Sequence, residues 1–299
     1  MQITNSNSET KRYKHYKVCE DLHIHTFFSK DSKELPENYV KSGIERGLSY
    51  LGFSDHIDLD PFDKDFGYYN YDQARGFFLA LNEKYESLIN LLFGLEVTYQ
   101  STLEESVINS IQGKPYDYLI GSIHRIDGFT VSGPHGTGFF VGLDEITAYM
   151  KYFAELEKMV EMNYFDIIGH FDVIKRYGKN YYGSFRANKY RDVIERILRK
   201  ALDRGMVLEI NSSGFRQDLN EPYPSPDILS MYAEVGGREV ILGSDSHSTK
   251  HFGVFLRESV ASALSVSDFE VVVYNNRRKE RLCSLSEIVK INETGEVKR

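Results

Sequence analysis

The chain carries nine histidines in 299 residues, and most of them close short apolar runs. The first run ends in His23-Ile24-His25. Extended backbone turns residues i and i+2 to one face, so both imidazoles converge. The second ends in Ser54-Asp55-His56, the third in Gly94-Leu95-Glu96 and the fourth in Ser122-Ile123-His124. Gly169-His170-Phe171-Asp172 closes the fifth, and Ser244-Asp245-Ser246-His247 closes the last. Imidazole and carboxylate together suit zinc, manganese or iron, and several acids allow bridging between ions. A single histidine at a strand end is more often a hydrogen-bonded core or loop residue. Six placements of the same kind argue for a metal cluster. His15 and His135 read as ordinary arm and loop residues, and His251 as either a cavity residue or a loop residue.

The elements that must hold these groups are short. Apolar runs at 18–24, 50–53, 91–97, 118–123, 166–168, 207–210 and 240–242 are bounded by Gly, Ser or Asp, as buried parallel strands are. Helical patterns at 36–46, 73–90, 143–162, 187–204 and 225–235 lie between them. Pro36 and Gly47 mark a start and a stop, and Asp144 or Ser225 is suited to cap its helix. Repeated strand–helix order implies a mostly parallel sheet with helices outside. Seven strands in one series favour a closed or nearly closed α/β barrel of one domain, whose active site lies where the strands end. Residues 1–17 read as a polar arm, 18–275 as the barrel and 276–299 as a peripheral segment. Loops at 58–71 and 125–142 are long enough to shape a pocket. The glycine-rich 133–138 stretch lacks the Lys-Ser/Thr of a phosphate loop and reads as a flexible lid or turn.

Composition narrows the partners. Lys and Arg number 36 against 44 Asp and Glu, a formal charge of −8. That balance lacks the basic footprint of a nucleic-acid binder. It remains compatible with a small anionic substrate, because bound metal inverts local charge. The two cysteines, Cys19 and Cys283, form no CxxC, which excludes a thiolate zinc site and a disulfide framework and fits a reducing compartment. No apolar leader and no run of 18 apolar residues is present, so a cytoplasmic protein without membrane contact is expected.

Across roughly residues 19–256 the sequence resembles the PHP (polymerase and histidinol phosphatase) superfamily. The likeness rests on DLHIHTFFSKDS (21–32), LGFSDHIDLD (51–60), FGLEVTY (93–99), YLIGSIHRIDG (118–128), IIGHFDVIKRYG (167–178) and ILGSDSHS (241–248). The segments IKRYG, NSSGFR and EPYPSPDIL are similar to the monofunctional histidinol-phosphate phosphatase branch. The resemblance implies a distorted (β/α)7 TIM-like barrel, the PHP fold, holding three divalent metal ions. His23, His25, Glu96 and Asp245 would hold the first. Glu96 would bridge to a second on His124 and His170. His56 and His247 would hold the third, with Asp31 standing where relatives carry a further ligand.

The implied activity is hydrolysis of L-histidinol phosphate to L-histidinol and phosphate, in histidine biosynthesis. In-line attack by a metal-bound hydroxide is the expected route. Asp245, Glu96 and His247 are the expected catalytic groups, with Asp245 able to accept the nucleophile's proton. Arg176 and Arg216 match basic positions of the branch and suit phosphate by bidentate geometry, with Lys175 as the neighbour of Arg176. Arg125 stands where the family commonly has an apolar or aromatic residue. Asp21, Asp55 and Asp172 are read as acids that orient imidazoles or cap loops. The alternatives are a PHP phosphoesterase for nucleotides or other small monoesters and, behind it, a non-enzymatic metal-binding module. Only 40 residues separate His56 from Glu96, which leaves little room for an inserted domain.

Overall fold

The computed structural model describes residues 19–294, so the arm expected at 1–17 lies outside the described residues. Seven strands run parallel in the order β1 (Glu20–Ile24), β2 (Tyr50–Phe53), β4 (Asn90–Thr98), β5 (Tyr118–Ser122), β8 (Ile167–Ile168), β9 (Val207–Asn211) and β10 (Glu239–Gly243). A parallel bridge from Ile24 to Ser246 returns β10 to β1, giving the expected α/β barrel. The short β3 (His56–Ile57) continues beside β4, and β6 (Arg125–Ile126) and β7 (Phe129–Thr130) make a small hairpin above β5. Strands covered by the interior and by helices must be apolar on both faces, and those of the barrel are buried almost throughout.

The seam between β1 and β10 is where the barrel departs from regularity. β11 (Glu270–Asn275) pairs with the first two residues of β10, and β12 (Arg278–Ser284) pairs back on β11. Beyond that point, acidic side chains of β1 take over part of the ladder. Glu20 Oε1 accepts from the Leu242 N–H at 2.9 Å, and Asp21 Oδ1 accepts from the Ser244 N–H at 2.9 Å. Asp21 therefore supports the seam rather than an imidazole, and burial pushes its carboxyl up to about 6. The register of β1 against β2 shifts between Asp21 and Ile24. Such a bulge re-aims side chains at a barrel rim. Here Leu22 joins the interior apolar layer while the adjacent His23 enters the site above it.

That layer, formed with Leu92, Ile120, Ile167, Val207 and Ile241, closes the barrel floor around Tyr118. The Tyr118 hydroxyl donates to the Leu22 carbonyl at 2.6 Å. Gly52 and Gly94 leave the volume that its ring occupies, since a Cβ at either would overlap it.

Helices Pro36–Arg46, Tyr71–Tyr85, Glu145–Met162, Arg191–Asp203 and Pro226–Glu234 fill connections outside the strands. Gly47 stops the first at φ 72, and the Asp144 side chain caps Thr147 N–H as expected; Ser225 makes no such cap. The helix expected to reach residue 90 ends at Tyr85, because Asn90 is drawn into β4 by the Ser49 carbonyl. Helices Glu104–Ile111, Lys175–Tyr182 and Leu256–Leu264 were not legible in the pattern. The boundary expected at 276 falls inside the β11–β12 hairpin, and Leu285 beyond it is buried in the core. Cys19 and Cys283 are free thiols 3.1 Å apart, joining the two ends of the described chain in space.

Candidate metal centre

Glu96 projects from the C-terminal part of the long β4 into the barrel mouth and is fully buried. Five imidazoles surround its carboxylate. Oε2 lies 3.3 Å from His23 Nε2, 3.6 Å from His25 Nε2 and 2.7 Å from His56 Nδ1. Oε1 lies 2.9 Å from His170 Nε2 and 3.4 Å from His124 Nε2. Asp245 Oδ1 is 3.4 Å from His25 Nε2 and 3.7 Å from His247 Nδ1. The His25 ring stacks between His56 and His247, with centroids 4.0 and 4.2 Å away. Every residue expected from the six strand ends is thus in one cluster, and His23 and His25 do converge.

The chemistry of this cluster fits a cation. Burial alone would raise the Glu96 and Asp245 carboxyls, yet the surrounding imidazoles hold both well below the usual carboxylate range. Burial, with His56 and His247 alongside, drives His25 well down toward its neutral form. His56 Nδ1 and Glu96 Oε2 are close but not aligned as a hydrogen bond. These two atoms and the Nε2 atoms of His23 and His25 have no hydrogen-bond partner among the described residues. Buried polar atoms left this way are costly unless something binds them. Four sets offer donor atoms within 4.8 Å of one another: His23, His25 and Asp245; His23, Glu96 and His170; His56, Glu96 and His124; His25, His56 and His247. They support divalent metal binding. The sets share members: Glu96, which the resemblance has bridging two ions, belongs to two of them, as do His23, His25 and His56. Asp31 belongs to none of them, but its Oδ2 reaches His247 Nε2 at 3.1 Å and His56 Nε2 at 3.8 Å.

Polar side chains behind the cluster fix the rings. Asp55 accepts from Thr26 N–H, Thr26 Oγ1 and Ser29 Oγ at 2.6–2.8 Å, and Ser29 Oγ stands 3.2 Å from His25 Nδ1. Thr98 Oγ1 is 2.9 Å from His124 Nδ1. His170 and Asp245 both carry positive φ, 20° and 51°, which turns each off its strand into the mouth. Sequence reasoning missed Glu209 of β9, whose Oε1 lies 2.6 Å from His23 Nδ1. The signal was available: an acid between apolar neighbours in Val-Leu-Glu-Ile-Asn, within an element expected to be buried.

A cavity of about 520 Å³ opens above the cluster. Arg176 and Arg216 line it with Asp245, His247 and His170. Arg216 Nη2 donates to the Ser244 and Asp245 carbonyls at 2.7 and 3.0 Å, while Nη1 is buried with no partner among the described residues. His135 and His251, the former read as an ordinary loop residue, also line the cavity. Lys175 does not. It is 1% exposed and holds Asp172 at 2.8 Å, Glu221 at 2.9 Å and the Pro222 carbonyl. The helix beginning at Lys175 turns adjacent residues apart, so Arg176 and Lys175 face different surroundings.

Arg125 ties the 58–71 loop to the small hairpin through Asp60 at 3.1 Å, Asp63 at 2.8 Å and Thr130 at 3.1 Å. Asp58, Asp63 and Asp65 line the cavity beside Arg125 and Lys64, which pair with Asp63 and Asp65. The 133–138 stretch is a 3-10 turn, Pro134–Gly136, leading into helix Thr137–Val141.

A family model described as "PHP domain" matches residues 21–213. A histidinol-phosphatase of Lactococcus lactis is 29% identical over 77% of this chain and 84% of its own length. A probable histidinol-phosphatase of Deinococcus radiodurans is 25% identical over 87% of this chain and 98% of its own. Among solved structures, histidinol phosphate phosphatase from Lactococcus lactis, complexed with zinc, L-histidinol and phosphate, superposes with a TM-score of 0.78. It is 24% identical and covers 87% of this chain and 98% of that one. A putative histidinol phosphatase from Listeria monocytogenes superposes at 0.68 with 19% identity, covering 79% and 97%.

Proposed function

The chain belongs to the PHP domain family, and on that footing we propose that it is a metal-dependent phosphatase that hydrolyses L-histidinol phosphate to L-histidinol and phosphate. The observation that carries this reading is the meeting of two things at one cavity: an eight-residue donor cluster, buried in its depth and half-buried at the mouth, and an arginine, Arg216, with a free buried Nη1. The curated relatives named histidinol-phosphatase, aligned over most of both chains, support the substrate.

His23, His25, His56, Glu96, His124, His170, Asp245 and His247 would hold divalent metal, and we read the number of ions as three, zinc, manganese or iron. Asp31 stands beside His247 as the further ligand. Such ions neutralise phosphoryl oxygens and lower the pKa of bound water. The chain's own groups do the rest. Arg216 is anchored by two carbonyls on one side of its fork, which aims its free Nη1 at a phosphate oxygen. Arg176 lines the same cavity from beyond the neighbouring strand, β8. The Asp245 carboxylate, open to the cavity, accepts the proton of the attacking water. Asp58, the lining acid on the side of Asp63 and Asp65 without an ion-pair partner among the described residues, faces the cationic portion of an amino-alcohol phosphate.

The test is kcat/KM with manganese or zinc on L-histidinol phosphate beside nucleotides and sugar phosphates. A strong preference for histidinol phosphate is expected. Equal or better rates on nucleotides would refute the substrate and leave a PHP phosphoesterase of other specificity.

A further inference from the structure

Glu209 is a fully buried carboxylate inside the barrel that belongs to none of the four donor sets. Both of its oxygens are committed to donors. Oε1 takes His23 Nδ1 at 2.6 Å and Asn211 Nδ2 at 3.0 Å; Oε2 takes the His170 backbone N–H at 2.8 Å. A carboxylate can only accept, so the proton of this first contact sits on His23 Nδ1. In the neutral ring, the other nitrogen, Nε2, which lies 3.3 Å from Glu96 Oε2, is then the one free to ligate a metal. The same carboxylate fixes the turn that carries His170, whose Nε2 reaches the other oxygen of Glu96. The neighbouring strand makes room for this: a Cβ at Gly243 would overlap both the Glu209 carboxylate and His23.

We propose that Glu209 is the positioning residue of the metal centre. From β9, it sets the tautomer of one ligand imidazole across β10 and the backbone of another beyond the adjacent β8. Partners of this kind govern metal affinity by roughly 10–100-fold. Glutamine is a poor substitute. Its amide offers one oxygen and one NH2, and three donors converge here, so in either orientation an N–H meets an N–H. Aspartate keeps the charge but shortens the reach by one methylene.

The inference rests on the metal-centre reading and not on the substrate, so its test uses zinc alone. Zinc stoichiometry and dissociation constant are measured by competition with a chromophoric chelator for wild type, Glu209→Gln and Glu209→Asp. The melting temperature of each metal-free protein controls for folding. The expected result is folded variants whose zinc dissociation constants rise roughly 10–100-fold, with activity recovering toward wild type as zinc is raised. Wild-type affinity in a folded variant overturns the role of Glu209.

If neither variant folds, the assigned histidine resonances of 15N-labelled wild-type protein decide. In the zinc-loaded protein, a proton on His23 Nδ1 upholds the assignment, and one on Nε2 overturns it. A wild-type chain that binds no zinc, manganese or iron fails the metal-centre reading itself, and this inference with it.

Discussion

Truncating Arg216 separates phosphate binding from metal binding. Its guanidinium is mostly buried beside Asp245, and burial lowers its pKa, with the neighbouring Asp245 partly opposing this. Two of its hydrogen bonds are spent on the Ser244 and Asp245 carbonyls, so one nitrogen, Nη1, is left for a ligand. One charge-assisted hydrogen bond to a phosphate oxygen contributes about 1.5–3 kcal/mol. At about 1.4 kcal/mol per tenfold, Arg216→Ala is expected to lower kcat/KM for histidinol phosphate by roughly 10–150-fold. Arg216→Lys keeps the charge but cannot both hold two carbonyls and reach forward, so it should recover only part of the loss. The assay is steady-state kinetics with bound metal quantified on the same samples. Wild-type kinetics in Arg216→Ala would refute the phosphate role. Parallel loss of metal and activity would show instead that the side chain only props up the turn at Asp245.

Three further outcomes are expected. Chelation should destabilise the protein: at a free metal concentration 100 times the dissociation constant, binding stabilises by about 2.7 kcal/mol, or roughly 5 °C or more in melting temperature. A melting curve unmoved by chelator and by added zinc would contradict this. Lys175→Met should remove a cation buried between Asp172 and Glu221 and destabilise folding by about 3–5 kcal/mol. The Michaelis constant of the surviving enzyme should not move, and a raised value with normal stability would restore Lys175 to the phosphate site. Asp58→Asn should raise the Michaelis constant for histidinol phosphate by up to about fivefold and leave unchanged that for an aryl phosphate without a cationic group. An equal effect on both substrates would remove Asp58 from recognition of the cationic portion.

Much of the site was legible because parallel strands impose a simple rule. Strands buried on both faces are mostly apolar, and the barrel mouth lies where they end, so His23, His25, His56, Glu96, His124, His170, Asp245 and His247 stood out against the apolar runs they close. The barrel followed from the strand–helix alternation for the same reason. Side-chain direction did not follow. Lys175 and Arg176 are neighbours in sequence, and only the start of a helix there sends one to Asp172 and the other to the cavity. Asp21 seemed suited to an imidazole two residues away, but the β1–β10 seam takes it for the Ser244 N–H.

What the sequence by itself determined is the set of donors and the scaffold that gathers them, since both depend on local polarity and spacing. What only the tertiary structure decided is which groups face each other across the barrel: Glu209 against His23 through the space left by Gly243, Arg216 against the turn at Asp245, Arg125 against Asp60 and Asp63. Those pairings join residues 29 to 186 positions apart. They are set by barrel closure, the bulge in β1 and the registers of neighbouring strands, which no local pattern encodes.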